Sequence, residues 1–193
     1  NENPTYNCDE IDSTNWSSYR EQTLLKNAVE FVESEIPESL DIDGDGDGYV
    51  DNVPFLVYGS PDGWAELLWP HRWSLYFHDV YINDALVDGY NLNLASGGYF
   101  TASVICHEFG HSLGAPDLYR YFDVGGDIPI VPIGQWDIMA WNTSTPQYSS
   151  AWMKYRYFNW IDCPLIESSG VYQLNPSSSS DNNCFQIQSP YSN

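Results

Sequence analysis

Two histidines four residues apart, with a glutamate beside the first, have the spacing in this chain best suited to metal chemistry. They are His107, Glu108 and His111, in the stretch CHEFGHSLGAPDLY at 106–119. Positions four apart share one face of a helix, so both imidazoles can reach the same ion. Glu108 stands one step round that helix, where its carboxylate can act as a general base on a metal-bound water. The pattern H-E-x-x-H therefore predicts a zinc site with Glu108 as the catalytic residue.

A third protein ligand is expected shortly after the second histidine. Gly114 can end the helix and turn the chain back, because glycine tolerates the left-handed conformation, and Asp117 follows three residues later. No histidine occurs farther along the chain, and the single downstream glutamate, Glu167, follows a Cys-Pro pair. We therefore predict Asp117 as the third zinc ligand, with the upstream histidines His71 and His78 as competing candidates.

The acidic segment DIDGDGDGYVD, at 41–51, carries carboxylates that would repel one another without a cation. Counted from Asp43 as position one, its residues follow the ligand order of an EF-hand calcium loop. Gly48 takes position six, where such a loop turns sharply, and Pro54 replaces the bidentate glutamate of position twelve. A register that starts at Asp41 fits less well. The predicted ligands of this structural calcium site are Asp43, Asp45, Asp47, the Tyr49 carbonyl and Asp51.

These candidate sites need a scaffold, and the hydrophobic patterns predict one with both helices and strands. Helices are predicted at about 18–36, 101–113 and 149–158, and strands at 53–59, 75–82 and 87–94, with VYQL and CFQIQ as terminal strands. Ser18 and Glu21 have the spacing of a capping box at the start of the first helix. This order of elements predicts an α+β fold with a cleft beside the central helix.

The central helix should bury the side that faces away from its histidines. That side consists of Ala102, Ile105, Phe109 and Ser112. Residues 114–147, which follow the helix, are rich in Gly, Pro and Asp, as loops are. We expect one domain over 1–193, with an N-terminal lobe at about 1–114 and a C-terminal lobe at about 115–193.

The composition is strongly acidic, with 27 Asp and Glu against six Lys and Arg and a formal net charge of −21. This composition argues against a nucleic-acid partner, because neutralising phosphates requires a basic face. An anionic membrane surface would repel the chain, and no apolar run reaches the roughly 18 residues that cross a bilayer. We expect neither nucleic-acid binding nor membrane insertion.

An even number of cysteines is compatible with disulfides in an oxidising compartment. They are Cys8, Cys106, Cys163 and Cys184. Cys163 and Cys184 bracket a Ser/Pro/Asn-rich segment, so we predict a bridge between them, and we expect Cys106 to be buried or bridged. A cysteine hydrolase that pairs Cys106 with His107 is excluded, because neighbouring positions of a helix do not face each other.

Five stretches between about residues 41 and 190 form a wider pattern. They are DIDGDGDGYVDN, LWPHRWSL, HEFGHSLGAPDLY, GQWDIMAW and SSAWMKYRYFNW. Through them the chain resembles the immune inhibitor A family of secreted, metzincin-like zinc metallopeptidases. The resemblance implies a metzincin-like catalytic domain with a mixed sheet, an active-site helix and a loop-rich lower lobe. It also implies that Asp117 replaces the usual third histidine ligand and that Met139 forms the methionine turn under the metal.

The resemblance further implies a secreted zinc-dependent endopeptidase that acts on protein or peptide substrates, with calcium as a structural ion; we expect a monomer. Glu108 would take a proton from the zinc-bound water as it attacks the peptide carbonyl and pass that proton to the leaving nitrogen. Two other functions fit the ligands: a non-catalytic metal-stabilised binding module, which would not need Glu108, and a zinc hydrolase of a non-peptide amide.

Overall fold

The computed structural model describes residues 16–59, 68–95, 97–120, 132–145 and 147–189. The chain divides into two compact units, Asn1–Glu108 and Phe109–Asn193, with the division falling inside a continuous helix. That the whole chain forms a single catalytic domain stays a prediction. Among the described residues, no helix is long and apolar enough to cross a membrane.

The elements of the first unit begin with a helix and continue with short strands. They are α1 (Trp16–Val32), β1 (Val53–Val57), β2 (His71–Ser74), β3 (Tyr81–Ile82), β4 (Ala85–Leu86) and β5 (Gly89–Leu94). Helix α2 (Ala102–Ser112) crosses from the first unit into the second, which also contains α3 (Ala151–Arg156). Single 3-10 turns lie at Glu33–Glu35, Gly97–Tyr99 and Gly134–Trp136. The α+β prediction is confirmed at the level of fold class.

Strand β5 is the centre of a mixed sheet. It pairs in parallel with β1 and antiparallel with β2, while β3 and β4 form a separate hairpin. Its sequence GYNLNL alternates, which places Tyr90, Leu92 and Leu94 on one face and the two asparagines on the other. All five of these side chains are buried. Because both faces of β5 are covered, this strand can contact other elements of the fold through each face.

The apolar face of β5 packs against α1. Leu25 and Val29 of that helix join Tyr90, Leu92 and Leu94 in one buried cluster. Each such side chain contributes about 1.5–3 kcal/mol when it is fully buried. This cluster fixes the sheet in the first unit and leaves the asparagine face of β5 for other contacts.

The predicted capping box at Ser18 and Glu21 is wrong. Helix α1 already begins at Trp16 and ends at Val32, so both residues lie inside it. Glu21 is buried and its Oε1 accepts hydrogen bonds from the Tyr90 hydroxyl at 2.7 Å and from His71 Nε2 at 3.0 Å. A carboxylate is stabilised more by two donors in a buried network than by one exposed backbone N–H, so the tertiary contact prevails.

Several strand boundaries also differ from the predictions. The segment 75–82 is strand only at Tyr81–Ile82, and β2 at His71–Ser74 was not predicted. Neither terminal stretch, VYQL or CFQIQ, forms a named strand; the second contributes Gln186 to an isolated bridge with Leu165. The predicted disulfide is confirmed, because Cys163 and Cys184 are bonded with their Cα atoms 5.3 Å apart. That crosslink brings the two ends of the segment together without a regular sheet.

The expected buried side of α2 is wrong as well. Ala102 and Phe109 are exposed, and Phe109 keeps 48% of its surface accessible. Cys106 is also exposed and forms no disulfide within the described part of the chain, while Cys8 lies outside it. The buried positions of α2 are instead Ser103, His107, Glu108 and Gly110. The inward side of α2 is therefore the side that carries His107 and Glu108.

Candidate metal centre

Helix α2 brings three of the predicted site residues together. His107, Glu108 and His111 each offer one ligand atom, and these atoms lie within 4.8 Å of one another. Thr101 caps the start of the helix, where its Oγ1 accepts a hydrogen bond from the Val104 N–H at 3.2 Å. His107 and Glu108 are buried and His111 is half-buried. The spacing along one helical turn is thus sufficient to build a group that could hold a metal ion.

The His111 ring is oriented by the turn that ends the helix. Its Nδ1 lies 2.7 Å from the carbonyl oxygen of Ala115. A carbonyl can only accept, so Nδ1 carries the proton and donates it, which leaves Nε2 with a lone pair in the neutral ring. Gly114 makes this possible, because its φ of +90° turns the chain back after α2. Metal-binding imidazoles almost always have such a partner for the ring nitrogen that does not contact the metal.

Asp117 lies next to Nε2 of that ring. Its Oδ1 is 3.3 Å from His111 Nε2, and its side chain is mostly buried. Both atoms are acceptors when the imidazole is neutral, so their approach favours a proton or a metal ion shared between them. The compact three-residue group does not include Asp117, which contacts that group through His111. The role of Asp117 as third zinc ligand stays a prediction, and this geometry fits it.

The competing candidates already have protein partners. His71 Nδ1 donates to the Trp69 carbonyl at 2.7 Å, and its Nε2 lies 3.0 Å from Glu21 Oε1. His78 Nε2 lies 2.9 Å from the hydroxyl of Thr23. Both nitrogens of His71 face oxygen acceptors, an arrangement that suits a protonated ring better than a metal ligand. This arrangement favours Asp117 over His71.

These contacts shift the pKa of His71 upward. Burial by itself would lower that pKa, but the hydrogen bond and negative charge of Glu21 outweigh burial and raise it above the ordinary 6.5. The carbonyl of Trp69 acts in the same direction. The pKa of the Tyr90 hydroxyl is raised too, first by its burial and then by the charge of Glu21. When His71 is protonated, it forms a buried ion pair with Glu21.

We expect the stability of the protein to fall as the pH rises above about 6.5, and His71→Gln to flatten that fall. The folded state holds the proton of His71 more tightly than the unfolded chain, so the contribution is full below the unfolded pKa and disappears as the pH passes the raised pKa. Urea unfolding of both proteins at a series of pH values measures this pH dependence of the free energy of unfolding.

The matched control is His78→Gln. Burial, followed by the charge of Lys26, lowers the pKa of His78, so its effect on stability has the opposite sign and is lost as the pH falls. A pH dependence above 6.5 that is equally steep in wild type and His71→Gln would contradict the assignment.

Met139 lies directly against the helix in the second unit. A Cβ built on Gly110 would approach the Met139 sulfur to 2.7 Å, so the fully buried methionine contacts the backbone of α2 there. The Met139 carbonyl accepts from Leu118 N–H at 2.8 Å, and its own N–H donates to Asp137 Oδ1 at 2.8 Å. Asp137 Oδ2 accepts from the Ser150 N–H at 2.6 Å. The turn is thereby tied both to the segment after Asp117 and to the start of α3.

The acidic loop forms a second candidate group. Asp43, Asp45 and Asp47 offer carboxylate oxygens within 4.8 Å of one another. Asp43 organises the loop, since its two oxygens accept from the N–H groups of Asp47 at 3.0 Å and Gly48 at 2.9 Å. Gly48 has a φ of +87°, so glycine suits position six, as the calcium-loop register requires.

The remaining two predicted calcium ligands lie at the end of this loop. Asp51 Oδ2 accepts a hydrogen bond from the Gly44 N–H at 3.2 Å, which closes the loop on itself. Tyr49 forms a bridge with Leu86 and anchors the loop to β4. The three-carboxylate group does not include either residue. Their place as ligands stays a prediction.

Sequence reasoning missed two residues that support the zinc-site candidates. Asn91 Nδ2 donates to the backbone carbonyl of Glu108 at 2.7 Å, and Asp137 holds the Met139 turn. A signal was present for each. Asn91 is one of two asparagines that alternate with large apolar residues in β5, and Asp137 stands two residues before Met139, where aspartate commonly bonds to the backbone of its own turn.

The sequence matches no known protein-family model, and no curated protein matches it at a significant level. The resemblance to the immune inhibitor A family therefore rests on the motifs themselves.

Proposed function

We propose that this protein is a secreted zinc-dependent endopeptidase. The observation that carries the proposal is the approach of Asp117 Oδ1 to within 3.3 Å of His111 Nε2, in a ring whose other nitrogen donates to Ala115. Two acceptors held this close fit a shared cation. The proposed zinc ligands are His107, His111 and Asp117, with Glu108 as general base.

Zinc in such a site supplies a Lewis acid and lowers the pKa of water toward about 7. The protein's contribution is to place a base beside the ligands. Glu108 is buried within the same helical turn, so its carboxylate can accept a proton from the attacking water and deliver it to the leaving nitrogen. Ala115 keeps the His111 tautomer that can bind a metal, and Met139 packs against the backbone of α2 at Gly110.

The choice of a peptide substrate rests on the stretches shared with the immune inhibitor A family. Secretion has separate support, because the Cys163–Cys184 disulfide is typical of proteins from oxidising compartments. The acidic net charge of −21 suits a protein without a nucleic-acid partner.

The test measures zinc content and casein hydrolysis on the same preparation. We expect zinc to bind at the α2 site and casein to be cleaved; a chelator should abolish cleavage, and added zinc should restore it. A protein that binds zinc but cleaves neither casein nor shorter peptides would be the metal-stabilised binding module instead. Hydrolysis of a simple amide in place of casein would indicate the non-peptide hydrolase.

For the acidic loop we propose a structural calcium ion. The proposal is supported by the three gathered carboxylates and by Gly48 with its positive φ at position six. The Tyr49–Leu86 bridge ties this loop to β4, and the loop directly precedes β1, so we expect an ordered loop to help order this edge of the sheet. Calcium would thus stabilise the fold without taking part in the reaction.

We expect calcium to raise the melting temperature and Asp43→Asn to remove that effect. Binding to the folded state alone stabilises by about 2.7 kcal/mol when calcium is at 100 times its Kd. Asp43 is the right position to change, because it accepts two of the loop's own N–H groups and heads the carboxylate group. Thermal unfolding with calcium and with a chelator measures the shift.

Asp41→Asn is the matched control, since Asp41 stands outside the register that starts at Asp43. If Asp41→Asn removes the calcium effect and Asp43→Asn does not, the loop uses the earlier register. If both variants keep the stabilisation by calcium, the ion does not bind in this loop.

A further inference from the structure

The asparagine face of β5 is unusual for the centre of a sheet. Asn91 and Asn93 are both only 2% exposed, on the face opposite Tyr90, Leu92 and Leu94. Burying an amide costs free energy unless its polar atoms find partners, so an apolar side chain would be the default at such positions. A buried asparagine at such a position therefore needs a hydrogen-bond partner, and Asn91 has one.

Asn91 makes that contact with the candidate site. Its Nδ2 donates to the backbone carbonyl of Glu108 at 2.7 Å, across 17 residues of sequence. The accepting carbonyl belongs to the turn of α2 between His107 and His111. Because β5 is paired on both sides, with β1 and with β2, the donor belongs to the most constrained strand of the sheet.

A bond from a fixed strand to a helix carbonyl restrains the helix in two ways. It limits rotation of α2 about its own axis, and it limits sliding of α2 along the strand. Both movements would displace the Cα of Glu108 and redirect its carboxylate. Misplacement of a reacting group by about 1 Å can cost roughly 100-fold in rate.

We propose that Asn91 is a positioning residue, which holds α2 against β5 so that the Glu108 carboxylate points at the metal site. The inference rests on the proposed function where it concerns the reaction rate. Its structural half, the restraint of α2 by Asn91, can be measured without any activity. Asn91 itself contacts the Glu108 backbone and acts through it.

The strand supplies a matched control two residues away. Asn93 lies on the same face, is equally buried, and its Oδ1 has no hydrogen-bond donor within the described part of the chain. Asn91→Leu and Asn93→Leu therefore introduce the same side chain in similar surroundings, but only the first removes a bond to α2. The pair Asn91→Ala and Asn93→Ala serves if leucine prevents folding.

The experiment has two readouts. On fluorescently labelled casein, Asn91→Leu should lower kcat by about 10–100-fold, the range for loss of an outer-shell partner, with KM and zinc content unchanged. Asn93→Leu should stay close to wild type. In the metal-free proteins, amide hydrogen exchange over 102–112 should be faster in the Asn91 variant than in the Asn93 variant.

Equal exchange over 102–112 in the two variants would overturn the restraint of α2 by Asn91. Equal kcat values with different exchange would overturn the link to Glu108. If the wild-type protein binds zinc and cleaves no peptide, the proposed function fails, and the exchange comparison still decides whether Asn91 holds the helix.

Discussion

Glu108→Gln should lower kcat for casein hydrolysis by about 10²–10⁴-fold, the usual contribution of a general base, while the protein keeps its zinc. Glutamine has nearly the same shape as glutamate but cannot accept the proton of the attacking water. The ligand positions on α2 are unchanged, because the backbone of residue 108 still accepts the bond from Asn91. A loss of turnover without loss of metal would therefore identify a base and not a ligand.

The matched control is Glu167→Gln, which makes the same chemical change at an exposed glutamate of the second unit. Turnover and zinc content are measured together for both variants and the wild type. If Glu108→Gln retains wild-type turnover, another residue is the base and the proposed mechanism is wrong. If it loses zinc along with turnover, Glu108 is a ligand, as its place in the compact group with the two histidines also allows.

Asp117→Ala should weaken zinc binding by more than the roughly 10–100-fold that is lost when a group that only hydrogen-bonds to a ligand is removed. In the proposed site an ionised Asp117 carboxylate would bind the ion directly, and its Oδ1 stands 3.3 Å from His111 Nε2. Without Asp117, zinc would have only the imidazoles of His107 and His111 as protein ligands. A competition titration with a chromogenic zinc chelator measures the change in Kd.

Three further variants separate the candidates for the third ligand. His71→Ala and His78→Ala should leave zinc affinity unchanged, because both rings already bond to other side chains. Asp181→Ala, at an exposed aspartate, controls for the loss of one negative charge from an acidic protein. Weak zinc binding in His71→Ala with normal binding in Asp117→Ala would identify His71, on β2, as the third ligand in place of Asp117.

The local patterns of the sequence were enough to find the candidate site. His107, Glu108 and His111 come together because helix geometry alone brings residues three and four apart onto one face. Asp43, Asp45 and Asp47 come together because a loop of alternating aspartate and glycine can fold back over a few residues. The Cys163–Cys184 bridge also closes a short segment. In each case the partners are near one another along the chain.

The predictions failed where the partner of a residue is distant in sequence. Glu21 looked like a helix cap, but donors 50 and 69 residues away hold it in a buried network. The inward side of α2 was misjudged because His107 and Glu108, and not Phe109, are buried there, and the backbone carbonyl of Glu108 accepts a bond from Asn91 on the sheet. Cys106 is exposed for the same reason, since it lies outside that inward side.

The sequence by itself thus determined which residues could bind metal, because their spacing and chemistry are local properties. Only the tertiary structure decided how α2 is oriented, which histidines are already engaged and what supports Glu108. Those outcomes depend on competition among buried donors and acceptors from different elements, and the free energy of each contact appears only when the strand and the helix are placed together.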